Sequence, residues 1–449
     1  MASTTKSPAR RRPAADRRPV AGGPGAARAV GPLVRAVLGD PPVPVVFWDG
    51  TAAGPATGPG TIEVASPEAL RHLLWAPGEL GAGRAFVTGA LEVHGDLFEV
   101  LRALRPCAPR LGRVVTTVPA ALRVAGRLGL LGRRPGAPAE EATVGRRRHS
   151  RRRDAAAVTH HYDVGNDFYR LVLGPSMTYS CARFPTGAET LEAAQAAKHE
   201  LVCRKLGLDR RPGLRLLDVG CGWGSMGLHA ARHHGARVVG ITLSGPQVAL
   251  ARRRVAEAGL GDAVEIRRQD YRELAGERFD AVSSVGMFEH VGRARAASYF
   301  AVLRSLLGEQ GRLLNHAISS VGGSAPGRRT FTHRYIFPDG ELADVAEVVA
   351  AMEAAGFEVR DVESLREHYV TTLRAWLANL ADRWDEAVEL VGSVRARAWR
   401  LYMTTSAVGF DDGGLAVHQV LGVVPAATGA SGMPRTRAGW EAGPGPPAV

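Results

Sequence analysis

The segment "LRLLDVGCGWGSMGLHAA" sets Asp218, Gly220, Gly222 and Gly224 between an apolar run and a run of helical character. Glycine is the type required where a chain turns sharply and its backbone must approach a ligand without a Cβ in the way. The G-x-G-x-G spacing is tighter than the G-x-G-x-x-G of dinucleotide folds. Downstream, "RVVGITLSGPQ" offers Thr242, Ser244 and Gln247 after the next apolar run, and no carboxylate. "RRQDYREL" then places Gln269 and Asp270 after a third run, where Asp270 also suits the N-cap of a helix. The strand–loop–helix setting of the glycines favours a ligand-binding loop over an ordinary glycine turn. The four cysteines, Cys107, Cys181, Cys203 and Cys221, form no C-x-x-C pair. That excludes a disulfide scaffold or zinc ribbon and fits a reducing cytosol.

The elements that must position these residues alternate. Strand-like runs are 214–219, 237–242, 264–268, 279–285 and 312–318, with helical runs at 223–233, 245–258 and 293–307 between them. Alternation at this spacing predicts a doubly wound parallel sheet. A helix near 340–355 and strands near 357–364 and 416–423 complete it, with a long helical insertion over 368–405.

Ahead of this region lies a different kind of sequence. Residues 1–40 are rich in Ala, Arg, Pro and Gly without periodicity and read as a disordered basic tail. A small domain is expected over 41–104, with strands at 43–48 and 61–64, a loop at 50–60 and Ser66 as a helix N-cap. Residues 105–155 read as a basic connector in which Pro119 interrupts any continuous helix. The catalytic domain is expected over 156–425, and residues 426–449 as a second disordered tail.

The formal net charge of +13 is uneven. Residues 101–153 carry fourteen arginines against two glutamates, including the triplets Arg146 to Arg148 and Arg151 to Arg153, whereas 154–449 carry 33 charges of each sign. A basic excess suits nucleic acid, an anionic membrane surface, or mere arginine-rich composition. No aromatic interleaving or nucleic-acid motif accompanies the triplets, so nucleic acid is not expected as a partner. No run of 18 apolar residues occurs, and the N-terminus lacks the apolar core of a secretory signal.

The glycine loop resembles motif I of class I methyltransferases that bind S-adenosylmethionine, although such enzymes usually end the second strand in an acid. Further segments resemble the cyclopropane-fatty-acyl-phospholipid synthase family: "HYDVGNDFYRLVLGPSMTYSCARF" (161–184), "GITLSGPQ", whose missing acid is normal there, "SSVGMFEHVG" (283–292), "YIFPDGEL" (335–342) and "LREHYVTTLRAW" (365–376). The resemblance spans about 60–425, and "ELGAGRAFVTGALEVHGDLFEVLRAL" is similar to the N-terminal domain of the phospholipid-acting members. It implies an α/β fold: a class I methyltransferase doubly wound seven-stranded, mostly parallel sheet with helical insertions, preceded by a small α+β N-terminal domain.

The implied reaction moves a methylene from S-adenosylmethionine to the cis double bond of an acyl chain in a membrane phospholipid. An alkene is a poor nucleophile, so proximity and orientation must force the attack. The resulting carbocation needs a dry, apolar surround and aromatic faces. A base then removes a proton from the new methyl group as the ring closes. The family resemblance implies bicarbonate as that base, held by Cys181, Glu289, His316, the amide of Ile318, and Tyr369. It likewise implies Tyr179 and Ser180 at the methionine end of the cofactor, Asp218, Gly220, Gly222 and Gly224 at the loop, Thr242 and Gln247 near the ribose, and Gln269 and Asp270 near the adenine. Trp376 and Phe168 could line an acyl tunnel or pack in the core. No metal is implied.

Taken singly, Cys181 reads as a small buried hydrophobe, His316 as a core histidine and Tyr369 as a packed ring. Glu289 is hardest to explain that way, since a carboxylate beside an apolar strand end needs partners. The partners expected are the anionic headgroups of a membrane met peripherally from the cytoplasmic side, with a homodimer as an open option. Alternatives are the same methylation ending in a methylene or methyl branch, a small-molecule methyltransferase, and a non-catalytic membrane-binding protein.

Overall fold

The computed structural model describes residues 25–107, 111–142, 164–322, 330–338 and 340–441. The chain divides into two compact units, Met1–Pro138 and Ala139–Val449. The arginine triplets and His161 to Asp163 lie outside the described residues.

In the first unit four short strands, β1 (Val45–Phe47), β2 (Ala52–Ala53), β3 (Gly60–Val64) and β4 (Leu91–Gly95), form a sheet in the order β2-β1-β3-β4. Only β1 and β3 run parallel. Three expectations for this half are corrected. The stretch 26–38, expected within a disordered tail, is a helix. Its first free amides are taken by side chains distant in sequence: Ala26 N–H donates to Asp49 at 2.6 Å and Ala27 N–H to Thr51 at 2.9 Å. Ala26 and Val30 are buried in the core with Phe47, Val64 and Ala85. Such capping is non-local and leaves no local signal.

The helix expected to start at Ser66 begins at Glu68, with Pro67 at the N-cap and no side-chain cap. Finally, Leu111–Arg127 is one helix with Pro119 inside it. Proline removes one amide and crowds the preceding turn. Here the helix is held by packing: Ala125 is buried, and Val124 and Leu128 lie against the first unit's core. Residues 111–130 thus belong to that unit.

Among the described residues the second unit holds seven strands: β5 (Arg215–Val219), β6 (Arg237–Thr242), β7 (Val264–Arg268), β8 (Phe279–Val285), β9 (Leu307–Ser320), β10 (Glu358–Ser364) and β11 (Leu415–Val423). Their order is β10-β11-β9-β8-β5-β6-β7, parallel except for β11, which runs against both neighbours. Adjacent residues serve opposite faces: Leu217 and Val239 enter one core cluster, Leu216 and Val238 the other. Helices therefore cover both faces, as continuous apolar strands require. The expected insertion is three helices between β10 and β11: Arg366–Asp382, Trp384–Val391 and Ser393–Asp411.

The C-terminal stretch expected to be disordered is placed as far as Glu441. Trp440 is buried in a short helix, Ala438–Glu441, and Arg437 pairs with Asp361 at 2.6 Å. Its Gly/Pro-rich composition hid those anchors. Among the described residues no helix is long and apolar enough to cross a membrane.

Candidate active site

Strand order reverses at β5, which has β8 on one side and β6 on the other. Ligands of open α/β sheets bind at such a point, beyond the carboxyl ends of the strands. A cleft opens there, with Gly220, Gly222, Thr242, Gln269 and Met287 among its walls. Gly220 and Gly222 have φ of +74° and +55°, a region side chains rarely adopt, and a Cβ on Gly220 would lie 3.3 Å from the Met287 side chain.

Nine of the ten expected cofactor residues line this cleft. Gly224 is the exception. It is the N-cap of the helix Ser225–His234, and a Cβ there would meet Ala251 at 3.5 Å. Around the cleft most side chains are paired with each other. Thr242 donates to Gln247 at 2.7 Å, and Ser244 caps the helix that carries Gln247. Gln269 donates to the Glu273 carbonyl at 3.3 Å. Asp270 caps the turn Tyr271–Glu273 and binds the Arg272 guanidinium at 2.8 Å, so its capping role and its place on the cleft coexist.

Asp218 accepts from Ser283 at 2.6 Å, while its other oxygen is buried without a partner. Burial raises this carboxyl above its ordinary range. Lys198, 1% exposed, lies nearby, and burial lowers its ammonium well below the usual value. It donates to the Ser180 hydroxyl at 2.9 Å, and its charge acts on Cys181, Asp218 and His316.

The five residues expected to hold a base do not line the cleft; Cys181, Glu289, His316 and Tyr369 are buried beside it and Ile318 is half-buried. Glu289, on the turn Phe288–Val291 after β8, accepts the Ile318 amide at 2.8 Å through one oxygen, and its other oxygen has no partner. Burial pushes this carboxyl up to about 7. His316 stands two residues before Ile318 on β9. The Gln419 amide approaches its Nδ1 at 3.3 Å, which assigns the proton to Nε2, a buried donor without a partner. Burial keeps this imidazole neutral.

Cys181 donates to the carbonyls of Ala182 and Leu365 at 3.2 and 3.6 Å, and burial raises its thiol far above the thiolate range. It is a hydrogen-bond donor here, not a nucleophile. The Tyr369 amide reaches the same Leu365 carbonyl at 3.2 Å. The residues thus gather as two pairs: Glu289 with Ile318 beside His316, and Cys181 with Tyr369.

Aromatic rings pack beside this buried chamber of polar residues and meet it at Tyr369. Tyr169, Tyr179, Trp399 and Tyr402 make a chain of contacts with centroids 5.4–5.9 Å apart. Trp376 joins at Tyr179 and Tyr369, and the Tyr179 and Tyr402 hydroxyls lie 3.3 Å apart. Phe168 and Trp376 are fully buried in this cluster and line no described cavity. Sequence reasoning missed Lys198, Gln419, Tyr169, Trp399 and Tyr402. Their helical or strand spacing is that of ordinary core residues, and only the fold converges them.

A doubly wound sheet with the seventh strand reversed, a glycine loop after its first strand and a cleft at the switch point define a class I methyltransferase. Residues 149–420 match the model of the mycolic acid cyclopropane synthetase family. Over 90% of its length the chain is 41% identical to the "probable fatty acid methyltransferase" of Mycobacterium tuberculosis, covering 96% of that protein. It is 34% identical to the cyclopropane-fatty-acyl-phospholipid synthase of Escherichia coli, over 81% of this chain and 87% of the relative. The crystal structure of the mycolic acid cyclopropane synthase CmaA1 with SAH and CTAB superposes with a TM-score of 0.56 at 34% identity, covering 60% of this chain and 98% of that one. The chain belongs to the cyclopropane synthase family and is an S-adenosylmethionine-dependent methyltransferase of that type.

Proposed function

We propose that this enzyme transfers a methylene from S-adenosylmethionine to the cis double bond of acyl chains in membrane phospholipids, forming cyclopropane fatty acids. The observation that carries this reading is Glu289: a buried carboxyl with one oxygen fixed by Ile318 and the other unpartnered, beside a wall of aromatic rings. A methyltransferase acting on an amine or hydroxyl needs no such dry polar chamber.

The cleft fits the cofactor through the glycine cradle and the unpartnered oxygen of Asp218. When bound, the cofactor supplies an electrophilic methyl group. Tyr179 and Ser180 connect cleft and chamber, and Lys198 fixes the Ser180 hydroxyl. Rings of Tyr169, Trp399 and Tyr402 keep water out and offer negative faces to a cationic acyl carbon.

The donor set fits a small planar anion. The Nε2–H of His316 can donate to one of its oxygens, and the free Glu289 oxygen can accept its hydroxyl proton. The Ile318 amide and Cys181 thiol already have partners and would share their bonds with it. Cys181, Glu289, His316, Ile318 and Tyr369 would hold bicarbonate, which would supply a base where the thiol is protonated and the basic nitrogen of His316 is taken by Gln419. Coverage of 87% of the Escherichia coli phospholipid synthase supports a phospholipid substrate. The basic excess in 101–153 supports peripheral contact with anionic headgroups on the cytoplasmic side.

Expression in a host rich in monounsaturated phospholipids tests this by lipid mass spectrometry. The expected product is one CH2 heavier and has lost the double bond. The same gain with an exocyclic double bond retained would establish the branched product instead, and no gain would overturn the reading. Binding of anionic vesicles that weakens as salt rises is expected of the membrane contact, and salt-insensitive binding overturns its electrostatic part.

A further inference from the structure

Away from the cleft, two helices bring together soft metal-ligating side chains that the reaction does not use. The helix Leu191–Leu206 presents Glu200 and Cys203, three residues apart and therefore on one face. The helix Ser225–His234 presents His229 from its middle and His234 from its last position. The Cys203 sulfur and one ring nitrogen of each histidine lie within 4.8 Å of one another. Both histidines direct Nε2 at the same Glu200 oxygen, at 3.2 and 3.0 Å. Ligand atoms around a tetrahedral zinc ion are separated by roughly 3.3–3.7 Å, so this cluster needs only a small closure.

We propose that Glu200, Cys203, His229 and His234 form a site for one divalent transition-metal ion of the zinc class. The donor types match: one sulfur, two imidazoles and one carboxylate. Arg204 holds the other Glu200 oxygen at 2.6 Å, orienting the carboxylate from outside. Cys203 is fully buried, whereas a surface cavity lined by His199, Ser225, Leu228, His229 and Arg232 gives an ion a path from solvent. Binding replaces the Cys203 thiol proton, which passes to solvent, and moves each histidine proton to Nδ1. The ion cross-links the helix that carries Lys198 to the helix that follows the glycine loop, and so stiffens two walls of the cleft.

The experiment uses the full-length untagged chain, stripped with a chelator and titrated with Co2+. The expected result is one Co2+ per chain with thiolate-to-cobalt charge-transfer absorption, displaced by Zn2+, and a higher melting temperature with Zn2+ than with chelator. Cys203→Ser removes the charge-transfer band, and His229→Ala with His234→Ala lowers affinity about a hundred-fold. Circular dichroism in chelator checks that each variant folds. Should Cys203→Ser unfold, His234→Gln carries the test through loss of affinity. Absence of bound Co2+, a spectrum without the thiolate band, or a band that persists in Cys203→Ser overturns the site and leaves a hydrogen-bond network around Glu200.

Discussion

The cofactor cleft and the chamber beside it are made of similar polar side chains that are paired to different degrees. In the cleft, Thr242 is bonded to Gln247 and Asp270 to Arg272, so these walls are set before anything binds, and Asp218 keeps one buried oxygen open. In the chamber, Glu289 and His316 each keep one buried polar atom without a partner. An unsatisfied buried group weakens the fold unless something returns the bond. Under the proposed function this difference is a division of labour: the cleft would hold the cofactor, and the open bonds of the chamber would serve the chemistry.

The sharpest break of that contrast is Glu289→Gln. Turnover should fall by about three orders of magnitude, while S-adenosylhomocysteine binding by calorimetry stays within a few-fold. Stability should move the other way. Burial raises Glu289 from 4.5 to about 7, so its ionisation weakens the fold as pH rises through that interval. The amide has no charge to bury. In bicarbonate-free buffer the variant should match the unsubstituted chain near pH 4.5 and exceed it at pH 8 by about 3 kcal/mol. Equal denaturation midpoints at pH 8 would place Glu289 in water.

Gly220→Val tests the other side. A Cβ at φ +74° and 3.3 Å from Met287 forces both backbone and neighbour. It should cost about 1–3 kcal/mol of stability and lower cofactor affinity, with any bound enzyme still competent in the chamber. A smaller effect is expected of Trp399→Leu: kcat falls about 10-fold, the worth of one cation–π face, with cofactor affinity unchanged. Smallest is Thr242→Val, which removes one cleft hydrogen bond and should weaken cofactor binding by about 1 kcal/mol without altering kcat at saturation. A kcat effect from Thr242→Val larger than from Trp399→Leu would erase the distinction.

The cleft was legible because glycine spacing and strand ends are local properties. Strands β6, β7 and β8 run from Arg237, Val264 and Phe279 as their apolar runs predict. The chamber was legible only through family resemblance, since nothing local marks Cys181 or Tyr369 as other than core. Lys198 and Tyr402 were illegible: each sits in a helix, and partners such as Ser180 and Tyr179 are supplied by another part of the chain. The same non-locality hid the helix Ala26–Leu38, whose caps lie more than twenty residues downstream.

Of the seven tryptophans, Trp223, Trp376 and Trp399 join the one ring cluster, and Trp223 also walls the cleft. Indole emission responds to nearby charge and to the packing of neighbouring rings. The enzyme therefore carries its own optical gauge. A sulfonium arriving and a neutral thioether remaining after transfer should give different intensities, so each half of the catalytic cycle can be followed without a label.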